Sequence, residues 1–218
     1  MSQQKADYAD DTEIDETLDE TADDATVEET VANLEERGFD VIVVDDTDEA
    51  LDAVQSQIPA GASVMNGHST TLEEIGFDNL LGEGDHEWES LPDQIWSIDD
   101  DAERQTARRE SQTADYFLGG INAIARTGEL VAADLSGSRI GAYPFAAGNV
   151  VIVTGTNKVV PTLSDALDRL ESVAYPLENE RAQEAYGVES SIAKQLIYRR
   201  ETEEGRTTIV LVRERLGY

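Results

Sequence analysis

Short, unbroken runs of branched apolar residues decide most of what this chain can fold into: Val41-Ile42-Val43-Val44, Val150-Val151-Ile152-Val153 and Ile209-Val210-Leu211-Val212. They read as buried strands, with Val150 to Val153 the best central candidate. After the first run, Thr47 or Asp48 can cap a helix that carries Ala50, Leu51 and Val54 and ends before Pro59. A second strand, Ser63-Val64-Met65, follows directly. Strand, helix and strand on short links make the βαβ unit of a parallel sheet. The expectation is one α/β domain spanning residues 25–218.

The remaining elements follow from the same periodicities. Val27, Val31 and Leu34 mark a helix stopped by Gly38. Tyr116-Phe117-Leu118 is a short buried strand, and the two stretches on either side of Thr127-Gly128 look like a hairpin. Lys158-Val159-Val160 adds a short strand. Leu163, Ala166, Leu167 and Leu170 form one helix face behind a cap at Thr162 or Ser164. Gln195 to Tyr198 and Thr208 to Val212 are expected as two strands around a turn at Gly205. Residues 82–101 read as a polar excursion anchored by Trp88 and Trp96. Residues 1–24, mostly Asp, Glu, Thr and Ala, hold too few apolar side chains to offset chain entropy and are expected to form a disordered acidic tail.

Charge narrows the partners. With 47 Asp and Glu against 16 Lys and Arg, the formal charge of −31 repels nucleic acid and anionic membrane, so neither is expected as a partner. Lysine occurs only at Lys5, Lys158 and Lys194, a balance that suits a halophilic surface in molar salt, where repulsion is screened within a few Å. Cysteine is absent, which excludes disulfides, thiolate nucleophiles and any iron–sulfur cluster ligated by this chain; the cofactor stays unknown. Neither a signal-like leader nor a membrane-length apolar run is seen, and the expected location is cytoplasmic.

Small and polar residues cluster where strands end, which is where open α/β sheets bind ligands. Gly67, His68, Ser69 and Thr70 precede a helix whose cap is Ser69 or Thr70, a backbone arrangement suited to an anion. Lys158 beside Asn157 follows the central strand and can meet a carboxylate or phosphate; a strand-end lysine paired with an Asp is the structural alternative. Arg139 can fork onto a carboxylate ligand or pair with Asp134. Asn122 can orient a substrate carbonyl, and Gly119-Gly120 permits close backbone approach. Glu74 and Glu129 are the candidate general bases or carboxylate nucleophiles. No metal site is expected, because no second histidine stands at a ligand spacing from His68. GxGxxG, P-loop, GxSxG and HExxH patterns are absent.

Taken together, Asn66 through Gly76, Ala114-Asp115-Tyr116-Phe117-Leu118, Ile121-Asn122-Ala123-Ile124, Thr127 to Val131, Gly137-Ser138-Arg139 and Gly155 to Val160 resemble the LUD-domain family, which includes lactate utilization proteins of the LutC/YkgG type. The resemblance implies a three-layer α/β/α fold with a mainly parallel sheet, of the NagB/RpiA/CoA-transferase-like kind. It also implies a link to oxidation of L-lactate, with a small anionic metabolite as ligand and iron–sulfur lactate-oxidation subunits as partners. A homo-oligomer is a further expected assembly. Two other roles stay open: a noncatalytic metabolite-sensing subunit docking a redox partner, and an independent CoA-transferase or sugar-phosphate isomerase. The family's similarity continues through Ala174 to Arg181, after which relatives often carry a cysteine-rich segment; here residues 182–194 hold no Cys.

Overall fold

The computed structural model describes residues 12–84 and 86–218, so the first eleven residues of the expected tail lie outside the described part. In chain order the strands are β1 (Asp40–Val44), β2 (Ser63–Asn66), β3 (Glu89–Ser90), β4 (Tyr116–Gly119), β5 (Ala123–Ala125), β6 (Leu130–Asp134), β7 (Asn149–Gly155), β8 (Val159–Val160), β9 (Lys194–Tyr198) and β10 (Thr207–Val212). Six of them form a parallel sheet in the order β1-β10-β7-β4-β2-β3. The others form a second sheet, β8-β5-β6-β9, in which β5 and β6 pair antiparallel.

Apolar runs without alternation are needed here because both faces of the large sheet are covered. Along β7 and β10, Val150, Ile152, Ile209 and Leu211 point to one side, where Val27 and Leu34 of the helix Asp24–Glu36 join them. Val151, Val153, Val210 and Val212 point to the other, against Ala50 and Val54 of the helix Thr47–Gln57. The side chains alternate between two cores. Helices on both faces of a parallel sheet make the layered α/β/α architecture that the sequence predicts. The small sheet lies on the first side and turns Ala123, Ala125 and Val131 onto Ala166, Leu170, Val173 and Leu177 of a third cluster.

That third cluster rests on helical chain from Leu163 to Tyr186, made of Leu163–Arg169, a π turn at Leu170–Ala174 and Tyr175–Tyr186. Thr162 caps its start, accepting from the Asp165 N–H at 3.2 Å. Pro176 has no N–H to offer the carbonyl of Ser172 one turn earlier. The backbone N–H of Asp15 fills that place at 3.2 Å.

This contact belongs to a correction. Residues 12–24, expected within the disordered tail, lie against the domain: Ile14 and Leu18 pack on the third cluster, and Asp19 is fully buried. Ion pairing secures what apolar burial alone does not. Asp19 accepts from the Asn157 amide at 2.7 Å and pairs with Arg169 at 2.5 Å and Arg215 at 2.8 Å.

Smaller corrections have local causes. Asp46, not Thr47 or Asp48, caps its helix, accepting from the Glu49 N–H at 2.9 Å. The two strands expected around the Gly205 turn are present and join different sheets: β9 edges the small sheet, while β10 sits between β1 and β7. In the excursion, Trp88 stacks on Phe77 and His86 as an anchor should, but Trp96 is 72% exposed.

Candidate functional site

Adjacent strands β7, β4 and β2 all release the chain at the carboxyl edge of the large sheet, and their following loops bound one cavity of about 340 Å³. Gly67 to Thr71 come from the loop after β2, Gly120 to Asn122 from the loop after β4, and Lys158 from the turn after β7. Arg139 enters from the short helix Ser138–Gly141. The helix Tyr175–Tyr186 closes the far side with Glu178 and Arg181.

Glycine is required where these loops touch. A Cβ on Gly120 would meet the Ser69 hydroxyl at 2.7 Å, and one on Gly119 would meet the Tyr143 hydroxyl at 2.2 Å. The close backbone approach read from this pair is therefore real. Tyr143 uses it to donate to the Gly120 carbonyl at 2.8 Å.

The floor is built from hydroxyls and one ammonium. Ser69 caps the short helix Thr70–Glu74. Lys158, 1% exposed, donates from Nζ to Thr71 Oγ1 at 3.0 Å. Thr70 lines the same cavity, and its buried hydroxyl finds no hydrogen-bond partner among the described residues.

Arg139 is the frame of the cavity. Its guanidinium donates to Asp134 at 3.1 Å, the Gly120 carbonyl at 3.1 Å, Asn122 Oδ1 at 3.3 Å and the Ala133 carbonyl at 2.7 Å. Four of its five N–H donors are thus spent on protein. Burial opposes its charge, but Tyr143 and Asp134 hold its pKa above the ordinary value. The pairing with Asp134, one of the two sequence readings, is the one observed. Asn122 is likewise engaged, its Oδ1 also accepting from the Ala133 N–H at 2.9 Å.

The wall opposite carries a second locked cation. Arg181 forks onto Glu178 at 2.8 and 2.9 Å, and the Tyr218 hydroxyl donates to the same carboxylate at 2.6 Å. Burial opposes both charges; their mutual hydrogen bonding prevails, leaving Arg181 raised and Glu178 lowered. His68 stands near these cations, its Nδ1 3.3 Å from Glu73 Oε1. Although its side chain is 40% exposed, the loss of water to the cavity walls around it, then Arg181 and Arg139, push its pKa down to about 4 against the pull of Glu178. At neutral pH it is an uncharged imidazole.

Of the predicted site residues, Gly67, His68, Ser69, Thr70, Asn122, Arg139 and Lys158 line one cavity, and Glu74, Glu129 and Asn157 do not. Glu129 is held by Arg37 at 3.0 Å and Arg199 at 3.5 Å, with the Thr127 hydroxyl also bound. Glu74 accepts from the Gly217 N–H at 2.6 Å. Asn157 bridges Asp19 and the Leu216 N–H at 3.1 Å beneath the floor. Sequence reading missed Glu178, Arg181 and Tyr186 as site residues; the Glu-x-x-Arg spacing on a helix interrupted by Pro176 was the available signal. Among the described residues no three His, Asp or Glu side chains gather as a metal-ion donor set.

A parallel-sheet α/β domain with a polar cavity at the carboxyl edge of its strands is the class that fold and site define. This chain belongs to the LUD domain family, whose signature it matches over residues 27–212. Its structure is similar to the crystal structure of a DUF162 family protein from Deinococcus radiodurans, with 11% identity, a TM-score of 0.45, and coverage of 86% of this chain and 96% of that one. No curated protein matches it. Residues 182–194 hold no Cys and contribute Val188 to Ile192 to the cavity wall. No helix among the described residues is long and apolar enough to cross a membrane.

Proposed function

We propose that this chain binds a small organic-acid anion in the cavity and serves organic-acid metabolism linked to oxidation of L-lactate. The observation that carries the reading is the floor, where buried Lys158 and the hydroxyls of Ser69, Thr70 and Thr71 converge in a chain of formal charge −31. The lining draws on four cations, Arg108, Arg139, Lys158 and Arg181, and three carboxylates, Asp134, Glu178 and Glu189. Asp134 and Glu178 are each paired with one of those arginines. Locally the balance is positive, and a carboxylate guest meets a charge that the exterior withholds.

The positions of Glu74 and Glu129 favour binding over independent acyl-transfer or isomerase chemistry, since the two carboxylates assigned to that chemistry serve contacts elsewhere. In this reading the protein is a cytoplasmic subunit adapted to high salt, which presents or senses a metabolite for iron–sulfur lactate-oxidation partners.

Thermal denaturation in molar KCl with L-lactate, pyruvate and inorganic phosphate tests the cavity. A bound ligand at one hundred times its Kd stabilises by about 2.7 kcal/mol, a rise of roughly 5–10 °C for a domain this size. Lys158→Met should abolish the rise. A folded sample indifferent to every one of these anions would remove the reading.

A further inference from the structure

Of the large apolar side chains exposed among the described residues, Trp96, Phe145 and Ile197 stand apart from the cavity, and the other three gather at it. Leu135, Tyr186 and Val188 are 54%, 67% and 56% exposed, and all three line the mouth of the cavity whose floor is polar. Large apolar groups gathered in water around one opening mark a binding surface, whereas scattered ones do not. Tyr186 is held in place there, with the Arg181 guanidinium 5.5 Å from its ring centroid and Arg181 itself fixed by Glu178.

Size points the same way. The cavity holds about 340 Å³. It falls within the ~300–1,000 Å³ typical of sites for larger organic ligands. A bare anion at Lys158 would leave most of the space, and the whole apolar lip, without contacts.

We propose that the cavity takes an amphipathic carboxylate, its anionic head on the Lys158 and Thr70 floor and an apolar or aromatic tail against Leu135, Tyr186 and Val188. The proposal rests on the anion-cavity reading above and narrows its ligand class. The head accepts from the Lys158 ammonium and meets the Thr70 hydroxyl. The tail removes the lip from water, which a three-carbon acid cannot do.

Isothermal titration of the full chain in molar KCl with inorganic phosphate, L-lactate and L-3-phenyllactate separates head from tail, because the last two share a head and differ by one ring. Phenyllactate should bind at least tenfold more tightly than lactate. Leu135→Ser with Val188→Ser should collapse that ratio to about one, and the double variant's melting temperature verifies its fold. Equal affinity of the two acids in the wild-type chain would overturn the tail while leaving the anion cavity standing. Binding of phosphate alone would overturn the carboxylate head, and binding of none would remove both. Sedimentation of the same samples decides between a ligand and a second protein on the lip. A double variant that changes the state of association, with the phenyllactate-to-lactate ratio intact, would assign the lip to protein contact and overturn the proposal.

Discussion

Two groups of charges lie back to back in this molecule, one beneath the cavity floor and one within the cavity. Beneath, Asp19 and Arg169 are both fully buried, and Asp19 is further bound by Asn157 and Arg215. Within, Lys158 is as deeply placed but is met by a hydroxyl at the edge of an open space. The first arrangement is closed and serves the fold. The second, built from equally costly buried charge, is open toward a guest. Burial of an ionic group does not by itself separate structure from function; what separates them is whether the group faces packed protein or the edge of a cavity.

Breaking the closed arrangement should have the largest effect. Asp19→Ala removes one member of a buried pair and strands Arg169, at a cost of about 3–5 kcal/mol, seen as a melting temperature lowered by roughly 2–4 °C per kcal/mol. Lys158→Met should lose less stability than this and more ligand response. If Asp19→Ala melted like the wild-type chain, the contrast between the two regions would fail.

A middle-sized effect concerns His68. Its folded pKa of about 4 lies below the ordinary 6.5, so the unfolded chain takes up a proton first as pH falls. The stabilising contribution is complete above pH 6.5 and is lost progressively as pH falls toward 4. Asp78 opposes this: burial, then Glu73, raise it to about 6 against its bond from Asn66, so from about 6 down to the ordinary 3.8 the folded state binds the extra proton. Imidazole NMR should show His68 titrating near 4, and His68→Gln should lose less stability than wild type between pH 6.5 and 4. An imidazole midpoint above 6 would mean that the cavity does not desolvate its lining. Least affected should be Trp96→Ala, within about 0.5 kcal/mol of wild type, because this exposed ring anchors nothing; a larger loss by chemical denaturation would restore the sequence expectation.

Legibility followed the physics of each signal. Val150 to Val153 and Val210 to Val212 could be read because a strand covered on both faces needs apolar residues at every position, and few other structures do. The loop from Gly67 to Thr70 could be read because small residues stand out in an acidic chain. Glu74 and Glu129 could not be sorted from the remaining carboxylates, since their positions depend on Gly217 and Arg37, remote in sequence. Asp19 was hidden for the same reason: its partners Asn157, Arg169 and Arg215 lie more than a hundred residues away.

The π turn at Leu170–Ala174 sets the phase of everything after it. Each residue of a regular helix advances about 100° around the axis, and a π turn holds one residue more than its α counterpart. Leu170 and Ala174 before the join, and Tyr175, Glu178 and Arg181 after it, all reach the same cavity. Winding the same residues as an ordinary α-helix, with none removed, would carry Glu178 and Arg181 round together by about a quarter of a revolution and dismantle one wall without altering any residue that forms it, whereas deleting one residue within the turn would restore ordinary winding and leave that wall in place.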